Sequence, residues 1–156
     1  DVAAALPLFE HLLELYETLH DPRLSPDGDD GVAAAAAFLG VEAPVIESPA
    51  LVPVLLVYSY ASMLDRNYAS CRSSLNRALK IVETHEGAKS TATIRVREHL
   101  GLLAYYEAKF DEAQDHFRNV HDILVAAGRP ADDPDVVRQV ENIATATCRQ
   151  GPRTWE

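Results

Sequence analysis

Cysteine is scarce in this chain of 156 residues. Its two cysteines, Cys71 and Cys148, lie far apart, and neither belongs to a Cys-x-x-Cys pair. A disulfide-stapled scaffold and a thiolate metal site both need more cysteines at closer spacing. We expect both cysteines to be small residues of the core.

Basic residues are also few, since 14 Lys and Arg stand against 24 Asp and Glu for a formal net charge of −10. Duplex DNA and anionic membranes are bound by proteins that neutralise phosphate. The charge therefore argues against nucleic acid and membrane surfaces as the main ligand. It favours a protein or peptide partner.

Long apolar runs are missing as well. The longest, 51–61, is interrupted by Pro53 and by the polar atoms of residues 58–60, and it is far shorter than the roughly 20 residues of a bilayer span. We expect no membrane insertion and a soluble protein. The cytoplasm is the first expectation for its compartment, which the sequence itself leaves unknown.

Motifs of catalysis and of cofactor or metal binding are lacking too. The chain holds no glycine-rich nucleotide loop, no HExxH and no GxSxG. His116 and His121 are about 500° apart around a helix and so lie on different faces. The acidic residues of 27–30 lack the distant Glu of a calcium loop. We expect no enzyme, no cofactor and no metal.

Helical periodicity is what the chain does contain, along most of its length and without strand alternation. We predict an all-α fold in a single domain, 1–156. A helix over 6–20 precedes an insertion, 21–47, with an exposed, mobile loop at 23–30 and a short alanine-rich helix. The core repeats, 48–156, are predicted to contain helices at about 48–65, 68–86, 90–108, 111–127 and 134–150.

Two kinds of helix alternate along the core repeats, and each kind repeats its own spacing of side chains. The second helix of each pair carries a series that recurs after 42 positions: Cys71, Leu75, Ala78, Ile81 and Val82, then Ala113, Phe117, Val120, Ile123 and Leu124. Residues 5–16 carry the series once more. The first helix of each pair has a large residue before a small one: Tyr58-Ser59, Leu100-Gly101 and Ile143-Ala144. Since small residues let helices approach closely, we predict a tight contact at Gly101 and Ala113.

Residues 100–117, LGLLAYYEAKFDEAQDHF, resemble the tetratricopeptide repeat family. The usual unit is about 34 residues, so the 42-residue period is similar to the longer repeats of kinesin light chains and related bacterial proteins. Residues 132–144 resemble the entry into that variant's first helix, and 5–17 resemble its second helix. The resemblance implies a right-handed α-solenoid of antiparallel helix pairs. An unrelated five- or six-helix bundle is the alternative.

The resemblance also implies which side chains line a concave, partner-binding groove. They lie on the three first helices: Leu56, Tyr60 and Met63; Arg95, Glu98, His99, Leu102 and Tyr105; Arg138, Glu141, Asn142 and Thr145. The large apolar and aromatic members would supply affinity, and the polar members would fix register. Asn142 matches the asparagine with which kinesin-light-chain-like repeats bind a peptide backbone.

Arg95 and Arg138 occupy the same repeat position, which places two cations along one groove of an acidic chain. The alternative is that these arginines pair with Glu98 and Glu141, one turn away. Chaperone-binding tetratricopeptide proteins hold a carboxylate with Lys and, four residues later, Asn. Here Glu98 precedes Leu102, so that clamp is not expected.

The resulting interpretation is a non-enzymatic interaction scaffold that binds a peptide or partner helix in its groove, or that docks in a larger assembly. Helices without a pairing partner at both ends also suggest a subunit of a complex or a homo-oligomer through uncapped ends. The alternative function is a peptide-sensing regulatory domain of a bacterial transcription regulator or phosphatase. An enzyme would require a deep polar pocket with shifted ionisable groups.

Overall fold

The computed structural model describes Pro7, Glu10, His11, Glu14 and residues 47–150. In that part of the chain a short 3-10 turn, Pro49–Leu51, precedes five α-helices: α1 Val52–Leu64, α2 Tyr68–Glu86, α3 Thr93–Tyr106, α4 Phe110–Ala126 and α5 Pro134–Gln150. The described residues contain no strand, so the all-α prediction is confirmed for them.

The amino-terminal predictions are tested at a few positions only. Pro7, Glu10, His11 and Glu14 are helical, in keeping with a helix over 6–20. The rest of that helix lies outside the described residues. The predicted insertion, 21–47, also lies outside the described residues, except for residue 47.

Helix starts in the core repeats follow from capping chemistry. The Ser48 hydroxyl accepts from the Ala50 N–H at 3.3 Å at the start of the 3-10 turn. Pro53 then falls in the first turn of α1, where its missing N–H costs no hydrogen bond. Asp133 accepts from the Asp135 N–H at 2.9 Å before α5. Side-chain acceptors of this kind satisfy donors that a helix start leaves unpaired.

The two turns inside helix pairs repeat the same hydrogen bonds 42 positions apart. The closing bond runs from the Asn67 N–H to the Ser62 carbonyl in the first turn, and from the Lys109 N–H to the Ala104 carbonyl in the second, each 2.8 Å long. The residues before the two donors, Arg66 and Ala108, have a left-handed backbone conformation, with φ of 60° and 59°. Such a turn ends one helix and sends the chain back along it. The helices of a pair are therefore antiparallel.

Helices pack in the order of the chain. α2 lies between α1 and α3, and α4 lies between α3 and α5, while α1 and α3 touch over a much smaller area. All ten residues of the two second-helix series are buried, none exposed by more than 7%. Each second helix thus joins its own first helix to the next one, as a helical repeat requires. The handedness of the stack stays a prediction.

The predicted tight contact is confirmed at α3 and α4. A Cβ atom added to Gly101 would lie 2.7 Å from Cε1 of Phe117, so the ring occupies the space that a side chain would need. Ala113, on the same helix as Phe117, has no exposed surface. The equivalent small residue of α5, Ala144, is exposed instead.

An ion cluster ties α2 to the turn between α3 and α4. The Arg72 guanidinium donates to the carboxylates of Glu107 and Glu112, and Lys109 lies 3.1 Å from Glu107. Burial tends to raise the pKa of Glu107, but the hydrogen bonds from Arg72 and Lys109 outweigh it and lower that pKa. The cluster fixes the second pair against the first.

The cysteines have different surroundings, and the prediction that both are core residues is wrong for one of them. Cys71 is buried in the core, whereas Cys148 is exposed on α5. Burial, with a smaller contribution from Glu107, raises the pKa of the Cys71 thiol to about 11. The reactive thiolate is therefore suppressed at this position.

Replacing Gly101 with Leu is expected to destabilise the protein by about 1–3 kcal/mol, since the added side chain must displace the Phe117 ring. The matched control is Ala144→Leu at the equivalent, exposed position, which should change stability by less than about 0.5 kcal/mol. Urea unfolding followed by circular dichroism measures both. Equal losses in the two variants would contradict the assigned helix contact.

Iodoacetamide at pH 7.5 should alkylate Cys148 in the native protein and leave Cys71 unmodified until the chain is unfolded. The reasons are the burial of Cys71 and the raised pKa of its thiol. Peptide mass mapping of native and urea-unfolded samples distinguishes the two sites. Similar labelling rates in the native state would show that α2 is not packed as described.

Candidate partner-binding face

The first helices α3 and α5 lie side by side and run in the same direction. Nη2 of Arg138 lies 2.8 Å from Oε1 of Glu98, and farther along both helices Nε of Arg149 donates to the Tyr105 hydroxyl at 3.1 Å. Gln139 also donates to Glu98, at 2.6 Å. Because both pairs advance toward the carboxyl ends of the helices, side chains of α3 and α5 form one continuous surface.

Equivalent positions define this surface on all three first helices, and we call it the first-helix face. Its members are Val57, Tyr60 and Leu64 on α1; Arg95, His99, Leu102 and Tyr106 on α3; and Arg138, Asn142, Thr145 and Arg149 on α5. On each helix they fall within an arc of about 60°, at 100° per residue. They recur at spacings of 42 and 43 positions.

The predicted groove residues of α1 separate into core and surface. Tyr60 is 51% exposed, whereas Met63 is 8% exposed and belongs to the main core cluster. Leu56 is partly buried against the same cluster. Met63 therefore packs inside the protein, and of these three residues Tyr60 offers the most surface to a partner.

On α3, Arg95 is exposed, while Glu98, His99, Leu102 and Tyr105 are half-buried. Leu102 packs on the main core cluster. The Tyr105 ring meets Phe110 edge-on, with ring centroids 5.6 Å apart. Tyr105 thus supports the α3–α4 turn through its ring and α5 through its hydroxyl.

On α5, Arg138, Glu141 and Thr145 are exposed, and Asn142 is partly buried. The Thr145 hydroxyl donates to the Glu141 carbonyl at 2.8 Å within the helix. The structure gives Asn142 no side-chain hydrogen bond among the described residues. Its amide is therefore available to a partner at the edge of the face.

The two arginines that the sequence singles out differ in their partners. Arg138 forms ion pairs with Glu98 at 2.8 Å and with Asp135 at 3.0 Å. Arg138 is thus paired, but with Glu98 across the helix interface and with Asp135, and the expected pair with Glu141 is not found among the described residues. Arg95 forms no ion pair with any residue that the structure describes.

Sequence reasoning missed four members of the face: Val57, Leu64, Tyr106 and Arg149. Each lies one helical turn from a residue that was predicted. The signal that could have identified them is the repeat spacing. Leu64, Tyr106 and Arg149 follow one another at 42 and 43 positions, as Tyr60, Leu102 and Thr145 do. Extending the repeat by one more turn of helix would have identified them.

The chemistry of the face changes from α1 to α5. On α1 the three members are apolar or aromatic, and Val57, Tyr60 and Leu64 are each about half exposed. On α5 the first and last members along the helix are the cations Arg138 and Arg149. α3 combines both characters. A partner along the face therefore meets apolar surface at one end and positive charge at the other.

His99, in the middle of the face, is partly buried, and so is His116 of α4. Nδ1 of each is buried without a hydrogen-bond partner among the described residues. Burial lowers the pKa of His99 against the opposing effect of Glu98, and Arg95 lowers it further. Burial also lowers the pKa of His116, where Glu112 opposes the shift.

These histidines should make stability depend on pH between about 7 and 5. As pH falls through about 6.5, the histidines of the unfolded chain bind protons that the folded chain resists, so the free energy of unfolding decreases. The variant His99→Gln/His116→Gln should show a smaller decrease. Urea unfolding at pH 7.0, 6.0 and 5.2 provides the comparison. An unchanged slope in the double variant would remove these residues as the cause.

An open cavity of about 450 Å³ lies where the α3–α4 turn meets the end of α5. Its lining residues are Ala108, Lys109, Phe110, Asp111, Glu112, Arg149 and Gln150. Gln150 donates to Asp111, and Glu112 accepts from Arg72, so polar groups here join neighbouring helices. Across the residues that the structure describes, no three His, Cys, Asp or Glu side chains are grouped to hold a metal ion. None of the described helices is long and apolar enough to cross a membrane.

Comparison with known proteins finds likenesses among solved structures. No family model matches the chain, and no curated protein matches it. Among solved structures, the crystal structure of BtubC (BKLC) from P. vanneervenii aligns with a TM-score of 0.44 and 16% identity, over 100% of this chain and 70% of that one. A TM-score below 0.5 does not establish a common fold. The helical-repeat assignment therefore rests on the repeated turns and the repeated buried series.

Proposed function

We propose that this chain is a non-enzymatic interaction scaffold that binds a protein or peptide along the first-helix face. The observation that carries the proposal is the joint placement of half-exposed apolar side chains and arginines on three equivalent helices. A right-handed tetratricopeptide-type solenoid would make this face concave. An extended peptide or a partner helix is the ligand that suits such a surface.

Apolar contact is supplied by α1. Val57, Tyr60 and Leu64 expose about half of their surface each, and they lie on one side of one helix. Grouped apolar side chains on a soluble protein commonly mark an interaction site. Tyrosine is also among the residues that contribute most to binding energy at interfaces. This end of the face suits a large apolar side chain of the partner.

Positive charge is supplied by α3 and α5. Arg95 and Arg149 form no ion pair with the described residues, although the chain as a whole carries a formal net charge of −10. The Arg138–Glu98 pair involves an arginine side chain that is 51% exposed. Glu98 is 22% exposed, and a partly exposed pair of this kind contributes only about 1 kcal/mol, so a partner's carboxylate can compete for Arg138. We infer that the partner segment is acidic at this end.

The variant Arg95→Glu/Arg149→Glu should lose peptides that the wild-type chain selects from a displayed library of random 12-residue segments. Wild-type selection should enrich segments that combine a large apolar residue with Asp or Glu. Charge-assisted hydrogen bonds contribute about 1.5–3 kcal/mol each, so affinity for an enriched peptide should fall at least tenfold. Fluorescence anisotropy with a synthetic copy of that peptide measures the change.

Two controls separate a local effect from net charge. Lys80→Glu/Lys89→Glu changes the charge equally at exposed positions off the face. Glu10→Gln/Glu14→Gln removes two exposed carboxylates outside the face. Neither should change affinity by more than twofold. Enrichment of purely basic segments, or equal binding by the Arg95→Glu/Arg149→Glu variant, would refute the proposed face.

A further inference from the structure

His99 stands in the middle of the first-helix face, on α3. Its repeat equivalents are Val57 on α1, 42 positions earlier, and Asn142 on α5, 43 positions later. Of these three residues only His99 can change its charge between about pH 5 and 8. The side chain is partly buried, so part of the ring reaches the surface that a partner contacts.

The chain leaves the His99 ring without a fixed partner. Nδ1 is buried and has no hydrogen-bond partner among the described residues. The adjacent carboxylate, Glu98, is already bound from α5. Its Oε1 accepts from Nη2 of Arg138 at 2.8 Å and from Nε2 of Gln139 at 2.6 Å. Glu98 therefore serves the contact between α3 and α5 and accepts no hydrogen bond from the imidazole.

The charges around His99 leave its protonated form unfavourable. Burial lowers the pKa of His99, Glu98 opposes that effect, and Arg95, one turn earlier on α3, lowers the pKa further. On α5 the facing charges are Arg138, which pairs with Glu98, and Asp135, which pairs with Arg138. These surroundings keep the ring neutral at pH 7.

The remaining described helices supply no carboxylate to this ring. α1 contains no Asp, Glu, Lys, Arg or His, and its titratable groups are the phenols of Tyr58 and Tyr60. The charges of α2 and α4 that meet inside the protein, such as Arg72 and Glu112, act on His116 instead. An anion that stabilises the protonated ring must therefore come from a bound partner.

We propose that His99 makes binding on the first-helix face pH-dependent, so that a carboxylate-bearing partner segment is held more tightly in mildly acidic solution. The inference rests on the proposed function, which places an acidic segment on this face. A partner's carboxylate beside the ring supplies the anion that Glu98, held by Arg138 and Gln139, does not provide. Protonated His99 then donates a charge-assisted hydrogen bond to that carboxylate.

Proton binding and partner binding therefore reinforce each other. A carboxylate within about 4–6 Å raises the pKa of a histidine by about 1 or more. By linkage, affinity increases as pH falls from the pKa of His99 in the complex to its lower pKa in the free protein. The partner's carboxylates, with an ordinary pKa of about 4, stay ionised down to about pH 5. The effect on binding is opposite in sign to that on folding, since protonation of His99 lowers the free energy of unfolding.

The test uses a histidine-free peptide selected by the wild-type chain at pH 7.5, labelled with tetramethylrhodamine. Fluorescence anisotropy at pH 7.5 and 5.5 should show at least threefold tighter binding at the lower pH. The ratio of the two affinities should fall close to one in His99→Gln. It should persist in the matched control His116→Gln, because His116 lies on α4 and off the face. A copy of the peptide with Asn and Gln in place of Asp and Glu should show no such increase.

Two results would overturn the inference, with circular dichroism showing that the protein is folded at both pH values. One is equal affinity of the wild-type chain at pH 7.5 and 5.5. The other is an equal increase in wild type and His99→Gln, which would assign the proton to another group. Either result leaves the proposed function intact, since the peptide still binds. Failure of wild-type selection to enrich any peptide would instead refute both.

Discussion

The contact between Gly101 and the ring of Phe117 sets the spacing of the central helix pair. The absence of a side chain on α3 brings the α4 backbone close, and the aromatic ring then fills the recess. With that distance fixed, Ala113 is enclosed, and Tyr105 meets Phe110 at the turn. The position of α4 in turn aligns α5 with α3. The first-helix face therefore depends on a small residue at the opposite side of α3.

Charge plays a different part from packing in this protein. Arg72 joins two pairs of helices through Glu107 and Glu112, and Arg138 joins α3 to α5 through Glu98. These links are made at helix edges and turns, where carboxylates and guanidinium groups keep some contact with water. They orient neighbouring repeats while the apolar series supplies most of the stabilisation.

Much of the fold could be predicted from sequence because repeated packing leaves a repeated pattern. The bounds of α2 and α5 agree with the predicted ones, and Gly101 and Ala113 pack as their sizes suggest. The burial of Met63 was harder to predict from sequence, because a residue at the rim of a helix face is buried or exposed according to the position of the neighbouring helix. The pairing of Arg138 with Glu98 depends on two helices that are 40 residues apart in sequence. The exposure of Cys148 depends on which side of α5 is covered.

The sequential packing order has a consequence for cooperativity. α3 is held between α2 and α4, whereas α5 packs mainly on α4 and is joined to α3 by side-chain hydrogen bonds. Because α3 is packed on both sides, its opening requires the loss of contacts with two neighbouring helices, and its backbone amides are expected to be among the slowest to exchange with solvent.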